Sequence, residues 1–301
     1  MKQIRSFRSL TAHLKKLKER KRVVAVWPSD KNTEEAISRV LREGWADFIL
    51  VGPADILDIF DSLKSYGDRV SVVTAADCDE AAREAVRIVR EGRADVVMKG
   101  LINTDNLLRA VLNKETGLLP HGKVLTHLTA MQGGRYGKFI FFSDAAVIPS
   151  PTFEQRVAMV RYAVETCRGF GVERPRVALI HYSEKINPKF TVTTEYAEIK
   201  RMAAAGEFGD AIIDGPMDVK TACDSEAAKI KGISSPIGGR ADALIFPDLE
   251  AANVFYKTMT LFCKADNAGI LRGPIAPVLL PSRSDSATSK YYSLAVACLI
   301  S

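Results

Sequence analysis

Short apolar runs alternate with longer amphipathic runs along most of this chain, and this alternation limits its possible folds more than any other feature. The clearest apolar runs are four or five residues long and lie at 23–27, 48–51, 70–73 and 94–98. Amphipathic stretches at 33–42 and 78–90 lie between them, and a glycine follows each stretch. Fully apolar strands separated by helices are typical of a parallel sheet covered on both faces. We therefore predict an α/β fold with mostly parallel sheets.

The composition changes near residues 117–122, where glycine and proline interrupt the pattern. Two β-like runs follow at 124–130 and 138–142, and the short link between them predicts an antiparallel pair. The alternation of helix and strand resumes near residue 153 and continues to a last apolar strand at 278–280. Two α/β domains that share a cleft explain this order better than one continuous sheet does.

The overall composition indicates a globular chain with a mild basic excess. Of its 301 residues, 47% are hydrophobic and 26% are charged, and the formal net charge is +6. Such an excess suits an enzyme that handles anionic substrates, and it does not require nucleic acid. No apolar run reaches the roughly 18 residues needed to span a bilayer, and the amino terminus lacks the apolar core of a signal peptide.

The cysteines and histidines do not point to a site. The five cysteines are widely spaced, odd in number and never arranged as CxxC. This pattern predicts reduced thiols in a cytoplasmic protein. The four histidines lack the spacing of metal ligands, so we expect no metal site.

Polar side chains follow several predicted strands at their carboxyl ends, where open α/β sheets bind ligands. They include Lys99, Asp214, Asp248, Ser282 and Arg283. This mixture of cationic and hydroxyl groups with two carboxylates suits a phosphate-bearing ligand. The common motifs GxGxxG, GxxxxGK[ST] and GxSxG are absent from the strand-to-helix turns.

The segment 277–290 combines a short strand, a hydroxyl-rich turn with one arginine, and the start of a helix. This order is how a parallel sheet presents an anion site at its carboxyl edge. Ser and Asp are also good helix caps, so an ordinary capped helix explains the same residues. Both interpretations remain open at this point.

Several motifs in the chain are similar to one known family. The patterns SPxxGxAD at 235–242 and FPD at 246–248 are followed by Lys257 and by SRxDS at 282–286. Further pieces agree in order and spacing, namely 98–105 with Arg109, 142–144 and 213–216. Together they resemble the phosphate acetyl/butyryltransferases over roughly residues 20–301. The compact length and the SRxDS form are closer to the butyryl branch.

The resemblance implies a reversible reaction in which acyl-CoA and phosphate give acyl phosphate and coenzyme A. It implies no tightly bound cofactor, since the coenzyme A thioester is a substrate, and a homodimer or larger homo-oligomer. The implied fold has two α/β domains of the isocitrate/isopropylmalate dehydrogenase type, with the active site in the cleft between them. In that fold the carboxyl-terminal segment returns to the first domain. We therefore expect one domain at 1–118 plus 275–301 and another at 119–274.

The family's site residues are carried over position by position. Ser282 and Arg283 match its active-site Ser-Arg pair, and Arg109 matches an arginine that contributes to catalysis. In the acetyl branch an aspartate seven residues after the motif serine is the proposed base, and Ser289 occupies that position here. Asp285 lies four residues earlier, which would be one helical turn, and is our candidate for a substitute base or orienting group. The expected substrate-binding residues are Lys99, Asp214, Asp248, Lys257 and Ser289.

Two other functions are weighed against this one. The first is another enzyme of the same fold, either an acyl carrier protein-dependent phosphate acyltransferase or an NAD- and metal-dependent decarboxylating dehydrogenase. The dehydrogenase would need clustered aspartates for its metal, and the sequence offers no such cluster around Asp214, Asp248 or Asp285. The second is nucleic-acid binding by the basic run 15–22, but this run has no interleaved aromatic residues and favours a solvated helix end.

Overall fold

The computed structural model describes residues 2–54, 61–133, 136–282 and 284–301. The chain divides into two compact units. The first unit consists of Phe7–Leu125 and Ala268–Ser301, and the second consists of Met1–Ser6 and Thr126–Asn267.

The first unit is built on parallel strands in the order β3-β2-β1-β4-β11, with β10 antiparallel beside β11. Its strands are β1 (Lys21–Val26), β2 (Ala46–Gly52), β3 (Val70–Thr74), β4 (Val96–Lys99), β10 (Asp266–Arg272, which enters this unit at Ala268) and β11 (Val278–Leu279). Its helices are α1 (Phe7–Leu14), α2 (Lys31–Glu43), α3 (Cys78–Arg90), α4 (Thr104–Val111) and α10 (Ala287–Ile300), and a 3-10 segment spans Lys64–Arg69. Strand β4 is buried throughout and β1 is buried from Val23 to Val26, as the continuous apolar runs predict.

The second unit has the strand order β5-β6-β9-β7-β8, in which β5 and β6 are antiparallel and the other neighbours are parallel. Its strands are β5 (Thr126–Gln132), β6 (Ile140–Ser143), β7 (Arg176–Ile180), β8 (Ile212–Met217) and β9 (Ala243–Ile245). Its helices are α5 (Phe153–Gly169), α6 (Thr191–Ala204), α7 (Val219–Cys223), α8 (Ser225–Ile230) and α9 (Leu249–Phe262). The predicted antiparallel pair is therefore present, and the predicted α/β class with mostly parallel sheets is confirmed.

The limits of the units differ from the expected boundaries at 118/119 and 274/275. Residues 119–125 stay in the first unit, where Leu119 N–H donates to the carbonyl of Val111 and Gly273 packs against Val124. Residues 268–274 stay there because β10 pairs with β11 through Leu271. The amino-terminal residues belong to the second unit, since Ile4 N–H donates to the Phe170 carbonyl across 2.8 Å.

The basic run 15–22 is held by acidic partners of the first unit. Lys15 pairs with Glu43 at 3.2 Å, Arg20 with Asp47 at 2.9 Å, and Arg22 with Asp95 at 3.1 Å. Lys21 donates to the backbone carbonyl of the last residue of the chain. Four of the cations in this run are therefore already bound within the first unit, where they connect the segment from helix α1 into strand β1 to its neighbours.

Candidate active site

Strands β1 and β4 form the point where the first unit's strand order reverses. The chain leaves β1 toward β2 and β3 on one side, then returns to β4 on the other side of β1. Ligands of open α/β sheets bind outside the carboxyl ends of strands at such a switch point. The loops that begin at Trp27, after β1, and at Gly100, after β4, meet at this position.

Gly100 lets these two loops pack directly on each other. Its N–H donates to the carbonyl of Val26 across 2.8 Å, and the next N–H along the chain donates to Trp27 across 2.7 Å. A Cβ atom at residue 100 would overlap the backbone carbonyl of Trp27. Trp27 itself has a φ of 55°, a left-handed conformation that is costly for an L residue and that clusters at functional sites.

Lys99 is the last residue of β4 and is buried. It is aligned with Val26 in the sheet register, so it lies at the switch point predicted for a ligand. Its Nζ atom donates to the Gly100 carbonyl across 3.2 Å. A buried ammonium at this edge provides positive charge close to where an anion would bind.

Strand β11 lies beside β4, and the turn that follows it carries Ser282. The Ser282 N–H donates to Asp285 Oδ2 across 2.8 Å, and the Asp285 N–H donates back to the Ser282 carbonyl across 3.1 Å. Ser284 N–H donates to Ser282 Oγ across 3.3 Å. The Ser282 hydroxyl is thus an acceptor within its own turn, and it lies on the exposed surface of the turn with its hydrogen available for a ligand or for Ser284 Oγ.

The structure changes the two interpretations offered for Asp285. The cap of helix α10 is Ser286, whose Oγ accepts from Ser289 N–H across 3.1 Å. Asp285 precedes this cap, so it is not one helical turn from Ser289, and the argument from helical spacing is wrong. Asp285 does not cap the helix either, because its carboxylate closes the Ser282 turn.

The Ser282 turn is also tied to helix α2. The Asn32 Nδ2 atom donates to the Asp285 carbonyl across 3.0 Å. A second contact joins helix α10 to the cap of α2: Lys290, only 2% exposed, donates from Nζ to Asp30 Oδ1 across 2.8 Å. Asp30 caps α2 through Thr33 N–H, and Thr33 Oγ1 also accepts from Lys290 Nζ. Hydrogen bonds therefore join the amino terminus of helix α2 to the Ser282 turn and to helix α10.

Electrostatics keep the Asp30 carboxylate ionised in this arrangement. Burial alone would raise the pKa of the Asp30 carboxyl, but hydrogen bonds from Lys290 and Thr33 outweigh burial and lower that pKa. The sequence pattern gives no sign of this ion pair, because the partners lie 260 residues apart. Asp30, Asn32 and Lys290 are thus the residues near the candidate site that sequence reasoning missed.

Arg109 lies on helix α4, which follows β4, and its side chain is 70% exposed. Its nearest ionic partner among the described residues is Asp79, with 3.5 Å between Nη1 and Oδ1. Asp79 also accepts from Asn106 Nδ2 across 2.6 Å. The guanidinium is therefore weakly held and available to an anionic ligand. Arg283 lies outside the described residues.

Asp214 occupies a different position from the one expected. It lies within strand β8, which continues through Gly215 and Pro216 to Met217, so it is not at the carboxyl end of its strand. A shift in the pairing of β7 with β8 accommodates this longer strand. The Asp214 carboxylate accepts from Lys200 at 2.6 Å and from Ser235 Oγ at 2.6 Å, so local partners already use it.

Asp248 precedes helix α9 and Lys257 lies within it. Asp248 is its cap, with Oδ1 accepting from Ala251 N–H across 2.8 Å. The carbonyl before it is bound by the buried Arg156, whose Nη1 donates to Pro247 O across 2.9 Å. Lys257 is exposed, and its Nζ lies 5.1 Å from the centre of the Tyr256 ring. Asp248 is thus used as a helix cap, and Lys257 is open to solvent.

No helix among the described residues has both the length and the apolar character needed to cross a membrane. No three His, Cys, Asp or Glu side chains in the described ranges come together in a group that could hold a metal ion.

Comparison with known proteins shows which family this chain belongs to. The family model described as phosphate acetyl/butaryl transferase matches residues 58–298. A phosphate butyryltransferase from Clostridium acetobutylicum is 36% identical over 298 residues, which is 99% of this chain and 98% of the relative. A phosphate acetyltransferase from Thermotoga maritima is also 36% identical, over 93% of this chain and 95% of the relative.

A solved structure agrees with these sequences. The branched-chain phosphotransacylase from Enterococcus faecalis superimposes with a TM-score of 0.82 and 30% identity, over 93% of this chain and 98% of that one. The chain therefore belongs to the phosphate acetyl/butyryltransferase family. The resemblance inferred from the motifs is confirmed, and so is the prediction that the protein is an acyltransferase.

Proposed function

We propose that this protein catalyses the reversible transfer of a short-chain acyl group from acyl-CoA to inorganic phosphate, giving acyl phosphate and free coenzyme A, with butyryl preferred to acetyl. The observation that carries the proposal is the Ser282 turn. It follows β11 beside the end of β4, precedes a helix amino terminus, and leaves the Ser282 hydroxyl exposed. Family membership supports a phosphate acyltransferase.

Phosphate binding is assigned to the cations of this site. The partial positive charge at the amino terminus of α10 and the buried Lys99 ammonium both favour an anion. Arg109 and Arg283 supply guanidinium groups, which can bind phosphate oxygens through paired, charge-assisted hydrogen bonds. Holding phosphate next to the thioester replaces a bimolecular encounter with an oriented one, which removes much of the entropic barrier.

The proposed chemistry needs no covalent enzyme intermediate. A phosphate oxygen attacks the thioester carbonyl carbon and forms the new C–O bond. Collapse of the tetrahedral intermediate breaks the C–S bond, and the sulfur leaves with the electron pair as the coenzyme A thiolate. The Ser282 hydroxyl donates a hydrogen bond to the developing oxyanion or to the departing thiolate. Since phosphate is largely dianionic near pH 7, it can attack without a strong protein base.

Asp285 is assigned a positioning role in this mechanism. Its carboxylate accepts the Ser282 N–H, and its own carbonyl accepts from Asn32. It therefore links the backbone of Ser282 to helix α2 through Asn32. Ser289, which occupies the place of the acetyl-branch aspartate, lies in the first turn of α10 and remains a candidate for substrate contact.

The direct test is phosphate-dependent release of free thiol from acetyl-, propionyl- and butyryl-CoA, followed with a thiol reagent. Because Cys263 is exposed, its reaction with the reagent is recorded before substrate is added, and a Cys263→Ser variant serves as control. We expect release only with phosphate, and the highest kcat/KM for butyryl-CoA. One methylene is worth about 1–3 kcal/mol in an apolar pocket. The preference for butyryl-CoA over acetyl-CoA should therefore be roughly tenfold or more. Absence of phosphate-stimulated release from all three substrates would refute the proposal.

We also propose that the protein is a homodimer or a larger homo-oligomer. Helix α9 exposes Val254, Leu261 and Phe262, with 65%, 71% and 78% of each side chain accessible. Val254 and Leu261 are seven residues apart and lie on one helix face, as expected for an apolar contact surface. Sedimentation velocity should show a dimer or larger species. A Leu261→Lys variant should dissociate it, and a monomeric wild type would contradict the proposal.

A cytoplasmic location is the last part of the proposal. None of the five cysteines is in a disulfide, and Cys167 and Cys298 are buried. Burial raises the pKa of the Cys298 thiol to about 12, so this group stays protonated and unreactive. Titration of the denatured protein, purified without reductant, should find five free thiols per chain. Fewer than five would indicate an oxidising compartment.

A further inference from the structure

The second unit has a hollow of about 450 Å³ whose lining is strongly basic. We call it the cationic hollow and define it by Lys138, Arg174, Arg176, Arg240 and Asp242. These residues lie at or just before the first residues of β6, β7 and β9. The hollow is therefore at the amino-terminal edge of this sheet, and none of its residues is a candidate for acyl transfer.

Among the described residues that line the hollow, only one has a carboxylate, and local partners already use it. Asp242 is buried; its Oδ1 atom pairs with Lys138 Nζ, and its Oδ2 atom accepts the Arg176 N–H across 2.9 Å. One acid thus balances one cation. The remaining guanidinium groups bring excess positive charge to the walls.

Four arginines of the described part of the chain line the hollow, and three of them, besides Arg5, carry that excess. The Arg174 Nε atom donates to the Asp210 carbonyl across 3.1 Å, which leaves its charge unbalanced. Arg240 is exposed and Arg176 is half-buried. Across the described ranges, no carboxylate lies within 4.0 Å of the guanidinium nitrogens of Arg174, Arg176 or Arg240. Clustered like charges destabilise each other, and a bound anion would relieve that repulsion.

The shape and chemistry of the hollow indicate the class of anion. Its volume falls within the range of about 300–1,000 Å³ typical of small-ligand sites. Guanidinium groups match phosphate oxygens with two parallel hydrogen bonds each, and they keep their charge at all physiological pH values. Several arginines on one concave surface therefore fit a compact ligand with several phosphate charges better than an extended one.

We propose that the cationic hollow binds a compact polyphosphate, either inorganic triphosphate or the triphosphate group of a nucleotide. Arg176 and Arg240 contact the phosphate oxygens, and the Lys138–Asp242 pair holds the strand starts that carry them. This binding is independent of the proposed acyl transfer, whose candidate turn belongs to the first unit.

Calorimetric titration of the full-length protein with sodium triphosphate tests the proposal. The double variant Arg176→Gln/Arg240→Gln is compared with Arg161→Gln/Arg201→Gln, which removes the same charge from exposed positions of the same unit. We expect one site per chain, at least tenfold weaker binding in the first double variant, and binding within about twofold of wild type in the second. Arg109→Ala, in the other unit, should retain the site. A parallel titration with ATP shows whether the base adds affinity to the shared triphosphate chemistry.

Several results would overturn the proposal: no saturable binding by the wild type, equal weakening in both double variants, or loss of binding in Arg109→Ala alone. Tighter binding of a DNA duplex than of either triphosphate would also contradict it, because that would indicate a nucleic-acid surface. If the first double variant fails to fold, the titration is repeated with Arg240→Gln alone. The exposed Arg240 side chain makes no hydrogen bond within the described residues, so its loss should not disturb folding. That single change should weaken triphosphate binding at least threefold, and unchanged affinity would refute the site.

Discussion

The backbone N–H of Ser282 donates to the Oδ2 atom of Asp285 across 2.8 Å, and this bond fixes the turn that carries the candidate catalytic hydroxyl. The sequence alone makes the same carboxylate a candidate general base. The two roles differ in what they require of residue 285. A base needs an ionisable group, whereas the turn needs only an acceptor oxygen at that position.

Substitution of Asp285 separates these roles. Asp285→Asn keeps an acceptor oxygen, so kcat/KM with butyryl-CoA and phosphate should stay within about twofold of wild type. Asp285→Ala removes the acceptor, which is worth about 1 kcal/mol and should lower kcat/KM about fivefold. General base catalysis contributes about 10²–10⁴-fold, so a loss of that size in both variants would make Asp285 the base.

Lys290 should stabilise the first unit through its buried pair with Asp30. Lys290→Met leaves the Asp30 carboxylate without its cation, and removal of one partner of a buried pair costs about 3–5 kcal/mol. Since Asp30 is 20% exposed, we expect a smaller loss of about 2 kcal/mol in the free energy of unfolding by urea.

Two controls accompany this measurement. The double variant Lys290→Met/Asp30→Asn removes the stranded charge and should recover part of the lost stability. Arg201→Met breaks an exposed pair with Glu198 and should leave the urea midpoint unchanged. Equal midpoints for Lys290→Met and wild type would show that the pair does not stabilise the fold.

The Asp30 carboxyl should also produce a pH dependence of defined sign. Its pKa is lowered in the folded state, so the unfolded chain takes up the proton first as the pH falls. The stabilisation is present above the unfolded pKa of about 3.9 and is lost as the pH falls toward the folded pKa. The stability difference between wild type and Asp30→Asn should therefore shrink between pH 6 and pH 3 in urea unfolding. A difference that grows toward pH 3 would reverse the assigned sign.

Gly100 is expected to tolerate no side chain. A Cβ atom there would overlap the Trp27 carbonyl at the β1–β4 switch point, and overpacking against backbone costs about 3 kcal/mol. Gly100→Ala should lower the thermal midpoint by several degrees and reduce activity, because the loop that begins after Lys99 must move. Gly137, which has open space around its Cα, provides the control, and Gly137→Ala should unfold like wild type. Similar midpoints for both variants would contradict the close approach.

Local patterns in the sequence predicted most of the secondary structure. The helix at 78–90 was predicted to its end residues, because an apolar stripe lies between the Asp77 cap and Gly92. The sequence predicts the strand at Asp214 too short, since nothing local shows that pairing with β7 resumes at Met217 after the irregularity at Gly215 and Pro216. Strand β10 was missed because its hydrogen bonds depend on β11, which only the tertiary fold brings beside it.

The candidate site was predictable only in part. The Ser282 turn is visible from its hydroxyl-rich composition and from the family motifs. The Asn32 contact that holds it, and the Lys290–Asp30 pair that joins α10 to the cap of α2, depend on the placement of these two helices, which no pattern along the chain specifies. The role of Asp285 could not be derived either, because it depends on the first residue of helix α10.

The central claim is that phosphate attacks the thioester directly, and isotope exchange tests it most directly. The protein is incubated with butyryl-CoA and labelled coenzyme A, with and without phosphate. Direct attack predicts that label enters butyryl-CoA only when phosphate is present, since the acyl group then moves to phosphate and back. Exchange at a similar rate without phosphate would reveal an acyl-enzyme and contradict the account, and no exchange in either condition would refute the proposed activity itself.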